Sequence, residues 1–129
     1  MFLGRILIAA ALAPPVLAQQ VFVITGNDYF GLQNALQQAR PGDILIVRAG
    51  GYWAPTISIG VTILCDAGVT IGNSFGNATI VENLPAGQRL VVRGGSYVVG
   101  HAFAGLTIRN CAGAVVFEEA SNARELHVT

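Results

Sequence analysis

Apolar residues along this chain follow two different rhythms. Between Leu32 and Ala39 they recur at helical spacing: Leu32, Ala35, Leu36 and Ala39 share one face, and Gln33, Asn34, Gln37 and Gln38 share the other. That spacing predicts one short amphipathic helix. Asn27 or Asp28 is placed to cap its start, Arg40 to meet the negative end of its dipole, and Pro41-Gly42 to stop it. A helix this short needs a surface to pack on. After Asp43 the rhythm becomes that of strands: ILIV (44–47), TISI (56–59), VTIL (61–64), VTI (69–71), ATIV (78–81), LVV (90–92), YVV (97–99), LTI (106–108), VVF (115–117) and LHV (126–128). Each run is too short for a helix and is followed by Gly, Asn, Asp or a polar pair. VFVIT, within residues 19–25, predicts one more strand ahead of the helix, placed to cover the end of the core.

The strand runs sort into three tracks. Runs beginning at 44, 69, 90 and 115 form one, runs beginning at 56, 78, 97 and 126 a second, and Val61, Leu84 and Leu106 mark a third. A loose period in the low twenties with three strands per period fits a solenoid. Each coil would stack on the last at about 4.8 Å and bury a continuous aliphatic column that no single coil can bury alone. Gly60, Gly94, Gly95 and Gly113 supply corners, and Asn73, Asn83 and Asn110 follow strands where an amide can serve the turn backbone or stack on its counterpart. The competing fold is a β-sandwich, which needs hairpins; Asn-Gly and Asp-Gly turns are absent from the sequence.

Composition sharpens this reading. With 53% hydrophobic and 11% charged residues the chain is not disordered. All 7 basic residues are Arg and they balance 7 acidic ones, so there is no basic face for nucleic acid. Residues 1–18 read as a secretory signal peptide: Arg5 is the charged region, Ile6–Ala13 the apolar region and Val16-Leu17-Ala18 the cleavage site. An uncleaved anchor or a buried strand is the other reading of that segment, while Pro14-Pro15 breaks it too early for a membrane span. Residues 19–42 then hold the first strand and capping helix, and residues 43–129 the coils. The expected location is secreted, or on the cell envelope or surface. Cys65 and Cys111 can pair in an exported chain, but two coils of separation, about 9–10 Å, would leave both thiols free. They form no zinc site.

The runs ALQQARPGDILIVRAGGY and ISIGVTILCDAGVTI resemble the N-terminal cap and first coils of the pectate-lyase-like (pectin-lyase-fold) superfamily. The resemblance implies an all-β right-handed parallel β-helix with a short N-terminal capping helix. It covers roughly Phe22 to Thr129 and is specific for fold rather than activity, since that superfamily includes lyases, hydrolases, esterases and adhesins. Glu125–Thr129 reads as a strand stopped in mid-coil, so a longer protein with downstream coils, or self-association through coil ends, is expected to cover the open end.

No catalytic constellation, metal site or cofactor site emerges. The lyases of the superfamily use calcium-binding carboxylates, but Asp66, Glu82, Glu118 and Glu119 are scattered, and adjacent Glu118 and Glu119 point to opposite faces of a strand. The hydrolases' paired aspartates and Asn-Thr-Asp motif are missing; Gly100-His101-Ala102 matches their Gly-His-Gly motif only in part, and His127 has no identifiable partner. Arg48, Arg93 and Arg109 each follow an apolar run and can either grip an acidic polysaccharide or lie along a turn. The candidate carbohydrate-binding residues are Tyr52, Trp53, Arg93 and Arg109, with rings for stacking and guanidinium groups for carboxylates. The expected function is a non-catalytic scaffold or carbohydrate-binding segment. The alternatives are the start of a polysaccharide lyase or glycoside hydrolase with its active site in later coils, and an adhesin or structural surface protein.

Overall fold

The computed structural model describes residues 18–72, 78–97, 105–120 and 126–128. The elements are β1 (Val21–Gly26), α1 (Gly31–Gln38), β2 (Ile44–Tyr52), β3 (Thr56–Ile57), β4 (Thr62–Cys65), β5 (Val69–Ile71), β6 (Thr79–Glu82), β7 (Arg89–Arg93), β8 (Ser96–Tyr97), β9 (Leu106–Arg109), β10 (Ala114–Glu118) and β11 (Leu126–Val128). Every strand run read from the sequence carries a strand, although several are trimmed. Val98 and Val99 lie outside the described residues, as do Asn73, His101 and residues 1–17.

Every strand pairing among the described residues is parallel. Parallel neighbours cannot be joined by hairpins, and this excludes the sandwich. The sheets curl around one core, an arrangement compatible with a solenoid. One ladder runs β1-β2-β4-β7-β10 and a second runs β3-β6-β9-β11. The nine-residue β2 turns between them: Ile44–Val47 pairs with β1 and β4, whereas Gly50–Tyr52 pairs with β5, which pairs with β8.

This register corrects the three tracks inferred from spacing. Ile44 aligns with Thr62 rather than with Val69, and Tyr97 aligns with Ile71 rather than with β6. Leu106 belongs beside Thr79. The cause is unequal pass length. Cross-level side-chain pairs are separated by 18 residues at Arg48–Asp66, 25 at Arg93–Glu118 and 27 at Arg109–Glu82. A constant period therefore drifts onto the wrong strand.

The core is one cluster. Leu45, Val47, Ile63, Leu90 and Val92 enter it from the first ladder, Ile57, Val81 and Leu106 from the second, and Tyr52, Val69, Ile71 and Tyr97 from the turn between them. Helix α1 closes one end by burying Leu32, Ala35 and Leu36, the face its spacing predicts. Its start differs from expectation: Phe30 is the N-cap and makes no side-chain cap bond, so neither Asn27 nor Asp28 caps it. Arg40 lies beyond the last turn. Its backbone N–H instead donates to buried Asp43 at 2.8 Å, and the same carboxylate accepts the Gln20 N–H at 2.9 Å. Asp43 thus ties the helix exit to the entry of β1, and those two bonds hold its pKa below the usual carboxylate value.

Glutamine amides substitute for backbone where the ladders end. Gln33 on α1 accepts the Thr56 N–H at 2.8 Å at the free edge of β3, and Gln88 accepts the Gly60 N–H at 2.9 Å. Gly60 must be glycine, because a Cβ there would come within 2.7 Å of the Arg89 nitrogen. Asn83 and Asn110, both with positive φ (57° and 52°), stack as expected, with Asn110 Nδ2 donating to Asn83 Oδ1 at 2.8 Å.

Candidate functional site

The four residues expected to bind carbohydrate do not converge. Tyr52 is fully buried at 0% exposure, and its hydroxyl donates to the Arg48 carbonyl at 2.7 Å. This corrects its assignment as a stacking surface: the ring fills the core at the end of β2, where a Gly-Gly bend turns it inward, and burial raises its pKa. Tyr97 is buried in the same way. Arg93 and Arg109 lie on different ladders, and both are occupied. Arg93 Nη2 meets Glu118 at 2.9 Å, Arg109 Nε meets Glu82 at 2.9 Å, and Arg48 meets Asp66 at 3.1 Å. Arg93 and Arg109 thus each join a carboxylate on a neighbouring strand, and Arg48 joins one just past the end of β4. These half-exposed pairs neutralise three cations and three acids that the sequence left free to hold a substrate or calcium. Among the described residues no group of three or more His, Cys, Asp or Glu could hold a metal ion. Cys65 and Cys111 are free thiols. Burial, with Asp66 adding to it, pushes the Cys65 thiol up to about 11, so it is no nucleophile at neutral pH.

Trp53 is half-buried and has partners that the sequence did not single out. Its backbone N–H donates to the Tyr29 carbonyl at 2.9 Å, which ties the end of β2 to the loop ahead of α1. The Trp53 ring lies 5.9 Å from Tyr29 in an edge-on contact and 5.6 Å from Phe30 in a tilted one, and Tyr29 and Phe30 contact each other at 5.2 Å. Phe30 is 53% exposed and Tyr29 37%. Three rings thus form one open apolar cluster on the capped end of the fold. The available signal was the Tyr29-Phe30 dipeptide immediately before the helix, two large rings placed ahead of its first turn.

A second concavity sits at the corner after β4. Leu64 aligns with Arg93 and Thr70 with Ser96, so residues 65–69 in one level span what Gly94 and Gly95 alone span in the next. The longer loop overhangs the glycine corner and encloses a notch of about 380 Å³. Asp66 and Glu119 stand at its sides, with Thr70 and Ser96 within it. Glu119 adopts φ 55°, which a side chain disfavours. Asp66 is already paired with Arg48, so the notch presents hydroxyls and glycine backbone rather than a free acidic pair. Side-chain positions of His127 are outside the described set.

Among the described residues no helix is long and apolar enough to cross a membrane. Compared with known proteins, the chain matches no family model, no curated protein and no solved structure.

Proposed function

We propose that this chain is an exported right-handed parallel β-helix of the pectate-lyase-like type, acting as a non-catalytic carbohydrate-binding segment. The observation that carries this reading is the open cluster of Tyr29, Phe30 and Trp53, three contacting rings on a cap anchored by backbone hydrogen bonds. Aromatic faces offer sugars an apolar surface for their C–H groups at low conformational cost. Arg48, Arg93 and Arg109 satisfy carboxylates of the chain itself, so at these positions recognition rests on ring contacts rather than on charge.

Trp53 is the only tryptophan in the chain, so intrinsic fluorescence reports this cluster directly. Titration with neutral and acidic oligosaccharides should shift its emission, and the affinity should change little between low and high salt. Phe30→Ala and Tyr29→Ala should each weaken binding by about 2- to 10-fold, the worth of one aromatic contact. An emission spectrum unmoved by every glycan would refute the reading, as would cleavage of any of them by this chain.

A further inference from the structure

The first residues that the fold holds lie immediately after the expected cleavage site. Gln20 donates its backbone N–H to the Asp43 carboxylate at 2.9 Å, and its carbonyl accepts the Ile44 N–H at 3.0 Å. From Val21 onward β1 pairs with β2. Gln19 is exposed and is tied down by its side chain, whose Nε2 donates to the Gly42 carbonyl at 2.6 Å. Ala18 is exposed too, and among the described residues it makes no hydrogen bond. Both residues border an open concavity beside Arg40, Pro41, Gly42 and Asp43, so the bond between them is accessible. A cut between Ala18 and Gln19 leaves the pairing of β1 intact and leaves Gln19 alone ahead of the first anchored residue.

We propose that Gln19 is a modification site: once the leader is removed after Ala18, its side chain closes on its own α-nitrogen to give an N-terminal pyroglutamate. The proposal rests on the export reading above. In the precursor the Gln19 nitrogen belongs to a peptide bond, whose resonance leaves it no free lone pair. Cleavage turns it into an amine. The deprotonated amine attacks the side-chain Cδ carbonyl, and a new N–Cδ bond closes a lactam ring. The Cδ–Nε2 bond breaks, and Nε2 leaves as ammonia, taking the proton given up by the attacking nitrogen. No oxidant, reductant or co-reactant is consumed. Nucleophile and carbonyl sit on one residue, so no second molecule has to be oriented. Gln20 does not compete, because its nitrogen stays a peptide amide bonded to Asp43. The reaction gives up the Nε2 bond to Gly42, but that bond is exposed and water takes its place.

The ring protects β1. That strand buries Ile24 in the core, and the Ile24 carbonyl accepts a hydrogen bond from the Tyr52 hydroxyl at 3.3 Å. An aminopeptidase recognises a free α-ammonium group and would trim from Gln19 toward these contacts. The lactam offers no such group.

Expression of the full chain, leader included, in a secreting host tests this by intact-mass and N-terminal peptide mass spectrometry. The secreted chain should begin at Gln19 and weigh one ammonia less than the free-glutamine form. Edman degradation should be blocked until a pyroglutamyl aminopeptidase removes the first residue. Gln19→Asn has a side chain one methylene too short for the ring. It should keep its full mass and lose its first residue to a general aminopeptidase that leaves the unsubstituted chain whole. Circular dichroism of the two should match, because residue 19 lies outside β1. A chain cut after Ala18 that keeps a free glutamine on prolonged incubation at neutral pH would overturn the proposal and leave export standing. A cut at another bond would also overturn the proposal alone, and retention of residues 1–18 would overturn both.

Discussion

The ladders β1-β2-β4-β7-β10 and β3-β6-β9-β11 share a parallel backbone, an aliphatic interior and outward ion pairs, but the first turns more aliphatic side chains outward. Inward positions such as Leu90 and Val92 in the first, and Val81 and Leu106 in the second, are buried to within a few per cent. Outward, the first ladder shows Ile44, Ile46, Leu64, Val91 and Val116 beside the Arg93–Glu118 and Arg48–Asp66 pairs, and the second shows Thr56, Ile80, Thr107 and the Glu82–Arg109 pair. The inward column is what folding requires, because stacking is the only way these short strands bury apolar area. The outward rows are not bound by that requirement, so they are free to differ between the ladders. The difference is visible in the sequence as unbroken ILIV, LVV and VVF against TIVE and LTIR, which carry polar residues within the run.

The largest expected effect contrasts the two sides of one strand. Leu90→Ala should cost about 2–5 kcal/mol, since the fully buried side chain leaves a cavity. Val91→Ala, its neighbour on the outer face, should cost under ~0.5 kcal/mol in dilute solution. Urea unfolding at low concentration measures both, and a Val91→Ala cost near that of Leu90→Ala would mean that the outer face is covered within one chain. Next comes a flaw inside the second ladder. Thr79 is 2% exposed and its hydroxyl has no hydrogen-bond partner among the described residues. Thr79→Val keeps the shape and removes the unpaired group, so it should stabilise by about 1–2 kcal/mol. A loss of stability would show that the hydroxyl is satisfied in solution.

Smaller effects separate the corners. After β6 and β9 the left-handed positions are Asn83 and Asn110, whose amides bond each other; after β10 the position is Glu119, without such a bond to a stacked amide. Glu119→Gly should therefore gain about 0.5–1 kcal/mol, the relief of positive φ less the entropy of glycine. Asn110→Gly should gain nothing, because it gives up the amide bond. Equal responses at the two corners would remove the distinction. The mildest prediction is read in pH. Asp43 has a folded pKa below its ordinary 3.8, chiefly through the Arg40 N–H and then the Gln20 N–H. The folded state therefore binds a proton less readily than the unfolded chain. Its contribution is complete above the unfolded pKa and is lost as pH falls through the lower folded value. Asp43→Asn should flatten the acid limb of a stability–pH curve while leaving its alkaline limb unchanged.

Much of the architecture is local and therefore legible in the sequence. The helix face of Leu32, Ala35 and Leu36, the position of nearly every strand, the glycine corners and the Asn83–Asn110 stack all follow from residue type and short-range spacing. The absence of hairpin turns signalled parallel pairing. Partnership across levels was not legible, because passes of 18, 25 and 27 residues defeat any fixed period. The candidate site failed for the same reason. Tyr52 and Trp53 are adjacent in sequence, and only the turn at the end of β2 buries one ring and leaves the other beside Tyr29 and Phe30. The arginines looked free because Asp66, Glu118 and Glu82 come beside them only when levels stack. The sequence by itself determined which segments are strands and which side of each is apolar, since alternation and turn chemistry act over a few residues. The tertiary structure alone decided the register, the ion pairs and the exposed ring cluster, because each depends on how much chain is spent between one level and the next.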